Sequence, residues 1–217
     1  VRGGTNDFAV ARLTAAGVEA TRITIAPLPC LLGEDDPPPD WDDRPIDVAI
    51  CANLASTDPT VHGHDLPTHT KVWQTALERI RSRIDKFTDG DVPSMLTAAE
   101  SVLRMRIDHP GARQSITRLL GGPAASTLIW QDLVQHLARA TVKTHCWGLG
   151  WAADAGVQLR GPIPGLADRA AIYRQAKCVL FASPTGVVPA DVLLAAAAGG
   201  AVIWRKHPLN TRPGGLA

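Results

Sequence analysis

No stretch of this sequence approaches the roughly 20 consecutive apolar residues that a membrane-spanning helix needs. No signal peptide is visible either, so the expected setting is cytoplasmic. An excess of one charge is also missing. Lys and Arg number 22 against 21 Asp and Glu, a formal net charge of +1. That balance gives no electrostatic case for nucleic acid or an anionic membrane as partner. The four cysteines (Cys30, Cys51, Cys146 and Cys178) form no CxxC pair. Three of them fall in or beside apolar runs, which points to buried thiols in a reducing compartment. There is no GxSxG elbow and no GxxxxGK[ST] loop, which argues against a serine hydrolase and an ordinary P-loop NTPase. No GxGxxG, internal repeat or low-complexity tract occurs beyond one Pro- and Asp-rich segment.

What is present is a regular alternation. Residues 157–201 run from Val157-Gln158-Leu159 through Arg160-Gly161-Pro162 to an amphipathic segment, residues 166–176. A second apolar run follows, Cys178-Val179-Leu180-Phe181-Ala182, and ends in Ser183-Pro184-Thr185-Gly186. Residues 188–198 form an Ala-rich helix candidate closing on Gly199-Gly200, before a third run, Ala201-Val202-Ile203-Trp204. Short buried strands alternating with helices predict βαβ units and a parallel sheet. The expected class is therefore α/β, with a doubly wound, Rossmann-like parallel sheet. Ligands of such sheets sit beyond the carboxyl ends of the strands.

Upstream, residues 7–16 show helical spacing and residues 18–25 alternate like a strand. Residues 33–45, rich in Asp and Pro, read as a linker. Residues 1–32 would then be the remnant of a preceding domain, and 46–217 the main domain. Ile46 to Ala52 is its first strand. Residues 53–67 read as an exposed polar loop. A helix capped by Thr68 or Thr70 is expected to run to about Lys86, with Val72, Trp73, Ala76, Leu77, Ile80 and Ile84 on one face. Further helices are expected over 94–107, 112–120 and 125–140, with Asp108-His109-Pro110-Gly111 and Gly121-Gly122-Pro123 as breaks. A strand over 141–147 leads into Gly148-Leu149-Gly150. The first residue, Val1, and the loop-like ending suggest a piece of a longer chain.

The succession of a strand, R-G-x-[IV]-P, a helix ending I-Y-x-x-A-K, a strand, a Gly/Pro loop and a helix ending A-x-G-G resembles the carboxyl-terminal domain of GT-B glycosyltransferases. The CgeB-like, family-1-like branch is the most similar. The likeness is clearest over residues 144–208. It implies the second half of a GT-B architecture and transfer of a sugar from a nucleotide-sugar donor to an acceptor of unknown identity. It implies no bound metal or other cofactor, with the acceptor-side base in a first domain.

The resemblance carries a donor-binding set. Gly148 and Gly150 would let backbone approach the nucleotide. Arg160 would pair a phosphate, and Gly161 would shape the turn. Ser183, Thr185 and Gly186, ahead of a helix start, would hold the diphosphate. The family pattern E-A-x-A-x-G places a ribose-binding acid where this chain has Leu194. Leucine accepts no hydrogen bond from a diol. Asp191, one turn earlier, either substitutes or caps the helix. The competing reading is thus a non-catalytic binding or structural module that keeps the fold without that acid. A receiver domain is a third, but Cys51-Ala52-Asn53 is no acidic cluster. His62, His64 and His69, with Asp58 and Asp65, include metal-ligand types but fit no closed zinc spacing. His64, His69 and Lys71 are alternatively candidates for an interdomain cleft, as are Arg205 and His207.

Overall fold

The structure, a computed structural model, describes residues 39–153, 156–185 and 189–207. The expected helix over 7–16, the strand over 18–25, the preceding-domain remnant and the first part of the linker lie outside the described residues.

Five strands form one parallel sheet: β1 (Ile46–Cys51), β2 (Thr144–Trp147), β3 (Gln158–Leu159), β4 (Ala176–Phe181) and β5 (Ala201–Trp204), in the order β3-β2-β1-β4-β5. This is a Rossmann-like α/β sheet. Among the described residues six α-helices accompany it: α1 (Pro67–Arg81), α2 (Val92–Leu103), α3 (Pro110–Leu119), α4 (Ala125–Arg139), α5 (Leu166–Arg174) and α6 (Ala190–Ala197). The chain divides into two compact units. Among the described residues, one holds 39–49, 164–181 and 189–207, and the other holds 50–153, 156–163 and 182–185.

In the first unit β4 is the middle strand. Val48 faces Cys178 and Cys178 faces Ala201 along its two neighbours. Arg44 fixes the entry to β1. The residue is 6% exposed, and its Nη1 donates to Ala176 O at 2.9 Å and Gly199 O at 2.6 Å. Those carbonyls belong to the start of β4 and the end of α6, so one charged donor closes two backbone ends. Gly199, at φ 78°, gives α6 its left-handed exit, and Gly200 N–H returns to Ala195 O at 3.1 Å. α6 starts at Ala190, after Pro189; Val188, where the helix was expected to begin, lies outside the described residues.

The expectation of uniformly buried strands fails at the sheet edges. Both residues of β3 are exposed, and β5 alternates between exposed and half-buried. An edge strand is covered along one side only, whereas β1 has strands on both sides, with Ala49 and Ile50 fully buried.

In the second unit α1 buries Val72, Trp73, Ala76, Leu77 and Ile80 against α2, as its spacing predicts. Pro67 at its first turn, not a threonine, starts it: no side chain caps Leu66, and the helix stops at Arg81. α2 ends at Leu103 instead of running to Ile107, because Arg104 turns left-handed at φ 50°. The expected break at Asp108-His109-Pro110-Gly111 is present: residues 105–109 are not helical and separate α2 from α3. The same residues also start α3: His109 Nδ1 accepts from Ala112 N–H at 3.2 Å, with Pro110 at the first position of α3. Gly121-Gly122-Pro123, by contrast, does not separate two helices. Residues Leu120–Ala124 make one wide π-type turn that accommodates Pro123 and lets α3 run on into α4. No described helix is long and apolar enough to cross a membrane.

Candidate functional site

The second unit contains most of the sequence-derived site residues, at the carboxyl ends of β1, β2, β3 and β4. Past β1 the backbone stays extended and runs beside the end of β2. Ala52 N–H donates to Trp147 O at 2.9 Å, and Leu54 N–H to Leu149 O at 2.8 Å. Asn53 completes the link, its Oδ1 accepting from Leu149 N–H at 2.9 Å. Trp151 Nε1 donates to Ala52 O at 2.9 Å.

This array explains the glycine pair. A Cβ on Gly148, at φ 137°, would lie 1.9 Å from Ala52 O, and one on Gly150, at φ 84°, 2.4 Å from Leu54 O. The close approach that demands glycine is therefore made by the chain's own residues 52–54. The spacing was expected to admit a nucleotide; its physical cause here is backbone packing. Gly161 differs. At φ 90° it has no atom within 4 Å of a Cβ position, and its carbonyl accepts from Gly148 N–H at 2.7 Å.

Arg160 is already engaged by neighbours on β2 and β3. Its Nη2 donates to Gln158 Oε1 at 2.7 Å and to His145 Nε2 at 3.2 Å. Accepting at Nε2 puts the neutral imidazole's proton on Nδ1. Nη1 and Nε of Arg160, on an exposed residue, remain as donors. Gly148, Gly150, Arg160 and Gly161 thus belong to one hydrogen-bonded backbone array.

Ser183 and Thr185 form their own pair after β4. Their hydroxyls lie 2.9 Å apart, and Thr185 N–H donates to Ser183 Oγ at 3.2 Å. Pro184 O accepts from Asp89 N–H at 3.0 Å, which anchors the turn. Two hydroxyls sharing one contact use one proton between them and leave one to donate outward. Gly186 lies outside the described residues.

Asp191 sits in the other unit. Its Oδ1 is 3.4 Å from Arg169 Nη2, and its Oδ2 accepts from the Tyr173 hydroxyl at 3.2 Å. This carboxylate joins α6 to α5.

A cavity of about 450 Å³ lies beside the array, with Leu54, Gln131, Val134, Gln135, Arg139 and Trp151 among its lining residues. Sequence reasoning missed Asn53, Trp151 and the two glutamines. An Asn directly after a strand was the one available signal for Asn53.

The histidine cluster is not the exposed loop expected. His64 is 7% exposed, with Nε2 3.1 Å from Ser115 Oγ and its ring edge-on to His69. Burial, then the neighbouring His69 and His62, hold its pKa below the usual histidine value. His62 Nε2 bonds instead to Ser56 O at 2.9 Å. Among the described residues no three His, Cys, Asp or Glu are grouped to hold a metal.

Cys51 ends β1, and Cys146 is the last residue but one of the neighbouring β2. The Cys146 thiol is pushed up to about 12, by burial first and by Cys51 second. Brief iodoacetamide treatment at neutral pH is expected to spare Cys146 in the native chain and to modify it in urea. Native-state modification of Cys146 as fast as in urea would contradict its burial.

Compared with families of known proteins, with curated proteins and with solved structures, the chain finds no match.

Proposed function

We propose that this chain is the donor-binding domain of a GT-B-type glycosyltransferase, which holds a nucleotide sugar at the carboxyl end of its sheet. The observation that carries the reading is the strand order β3-β2-β1-β4-β5. The order reverses between β1 and β4, and ligands of open α/β sheets bind at such a reversal. Asn53 follows one of these strands, and the Ser183–Thr185 turn follows the other. In this reading the donor diphosphate takes the outward hydroxyl of that turn, and the remaining Arg160 donors assist it. The work of these groups is positioning and stabilisation of charge on the leaving diphosphate. The acceptor and its base belong to the domain that the family pattern places first.

A second reading has its own support. Leu194 stands where the family has its ribose-binding acid, and Asp191 is engaged by Arg169 and Tyr173. A non-catalytic module with this fold needs neither group free. Isothermal titration of the chain with UDP, GDP, ADP and TDP separates the two. Micromolar binding of one, weakened about tenfold by Arg160→Ala, is the expected result for a charge-assisted phosphate contact. Absence of binding to all four by a chain that includes its first domain would leave the non-catalytic reading.

A further inference from the structure

The helical part of the second unit carries a group of cations that the proposed donor site does not use. A depression of about 500 Å³ lies between the end of α2 and the first turns of α3. Thr97, Ser101, Arg104, Arg106 and Arg113 line it, with the buried Glu100 below them. Arg113 is spent on its neighbours: it donates to Glu100 and, through Nη2, to Thr97 Oγ1 at 3.2 Å. Arg106 reaches Asp108 only at 4.0 Å, with both side chains more than four-fifths exposed. Such a pair is heavily screened by solvent. The Arg104 side chain has no partner among the described residues. Three guanidinium groups against the one carboxylate of Glu100 leave two positive charges in excess, before the loosely held Asp108 is counted.

Arg104 also occupies an unusual backbone position. At φ 50° and ψ 39° it is the left-handed residue that ends α2. Glycine or asparagine takes that position at low cost, whereas an arginine there is strained. That backbone position puts Arg104 in the lining of the depression. A strained backbone at a charged surface recess is a motive for a functional reading, here independent of the fold's strand ends.

We infer that this depression binds a phosphate group, carried by inorganic phosphate or by a small phosphate monoester. Arg104 and Arg106 supply planar guanidinium donors, and Ser101 supplies a hydroxyl. A tetrahedral dianion offers acceptors to all three, and guanidinium forks match its oxygens pairwise.

The test is titration of the full chain with sodium phosphate, against sodium chloride at matched ionic strength, with glycerol phosphate in a parallel arm. Phosphate is expected to bind and to raise Tm, and chloride is not. Arg104→Gly is expected to weaken phosphate binding about tenfold or more. The same change should raise the ligand-free Tm by about 2–4 °C, by releasing the left-handed strain. Arg106→Gln should weaken binding without that rise. Tighter binding of glycerol phosphate identifies an ester as the ligand; equal binding identifies the free anion. Phosphate binding that is absent in the parent, or unchanged in Arg104→Gly, overturns the inference. Arg160→Ala should leave this binding intact, and Arg104→Gly should leave nucleotide binding intact, so the two sites fail separately.

Discussion

Gly148→Ala is expected to destabilise the fold by about 3–5 kcal/mol, at the upper end of what single substitutions do. Two costs combine. The new Cβ would sit 1.9 Å from Ala52 O, so one of two paired backbones must move. The backbone at φ 137° is also one that L side chains rarely adopt. Moving residue 148 strains the Ala52–Trp147 and Leu54–Leu149 hydrogen bonds on either side of it. Gly161→Ala is the control. It has a positive φ but open space, so it should cost only the dihedral part, about 1–2 kcal/mol. Urea denaturation of both variants gives the difference directly. Hydrogen exchange should place the loss at the Ala52 and Leu54 amides. A Gly148→Ala protein within about 1 kcal/mol of the parent would remove the backbone-packing account of the glycine pair and return it to the ligand reading.

That case also shows which parts of the molecule were legible beforehand. The central strands and the inner face of α1 were, because each apolar side chain carries its own transfer free energy into the pattern. Val72, Trp73 and Ile80 declare a helix face without reference to any distant residue, and all three are fully buried. The role of Gly148-Leu149-Gly150 was not. What presses on those glycines is the backbone of residues 52–54, and the Leu149–Asn53 hydrogen bond spans 96 positions. No local window contains both partners. His109-Pro110 was legible as a break but not as a cap: histidine is seldom an N-cap, and only the geometry reveals its ring nitrogen accepting from Ala112 N–H. Arg160 was correctly placed at a strand end, but its partners Gln158 and His145 follow from the β2–β3 register, His145 facing Gln158. Gly161 and the Ser183–Thr185 turn were legible as turns, since Gly and Pro act within a few residues.

The second large effect is expected at Glu100. Its side chain is 10% exposed and accepts from Arg113 and from Ile107 N–H at 3.0 Å. It ties the segment after α2 to α3. Glu100→Ala leaves the Ile107 amide without its acceptor and Arg113 without its counter-charge, a loss of about 3–4 kcal/mol. Glu100→Gln keeps an acceptor for Ile107 and loses only the charge, so about 1–2 kcal/mol is expected. The pH dependence separates charge from shape. Burial alone would push the Glu100 pKa up. The hydrogen bond from Arg113, that from Ile107 and the nearby arginine charges outweigh it, so the folded-state value lies below the ordinary 4.5. A carboxylate with a depressed folded pKa contributes stability above its unfolded value. That contribution is lost as pH falls from 4.5 through the lower folded value. Denaturant midpoints measured from pH 7 downward should therefore draw together for the parent and Glu100→Gln once the pH passes below 4.5, because the parent gains its proton more readily unfolded than folded. A gap that persists unchanged at low pH would show that the ionised carboxylate is not what holds this turn.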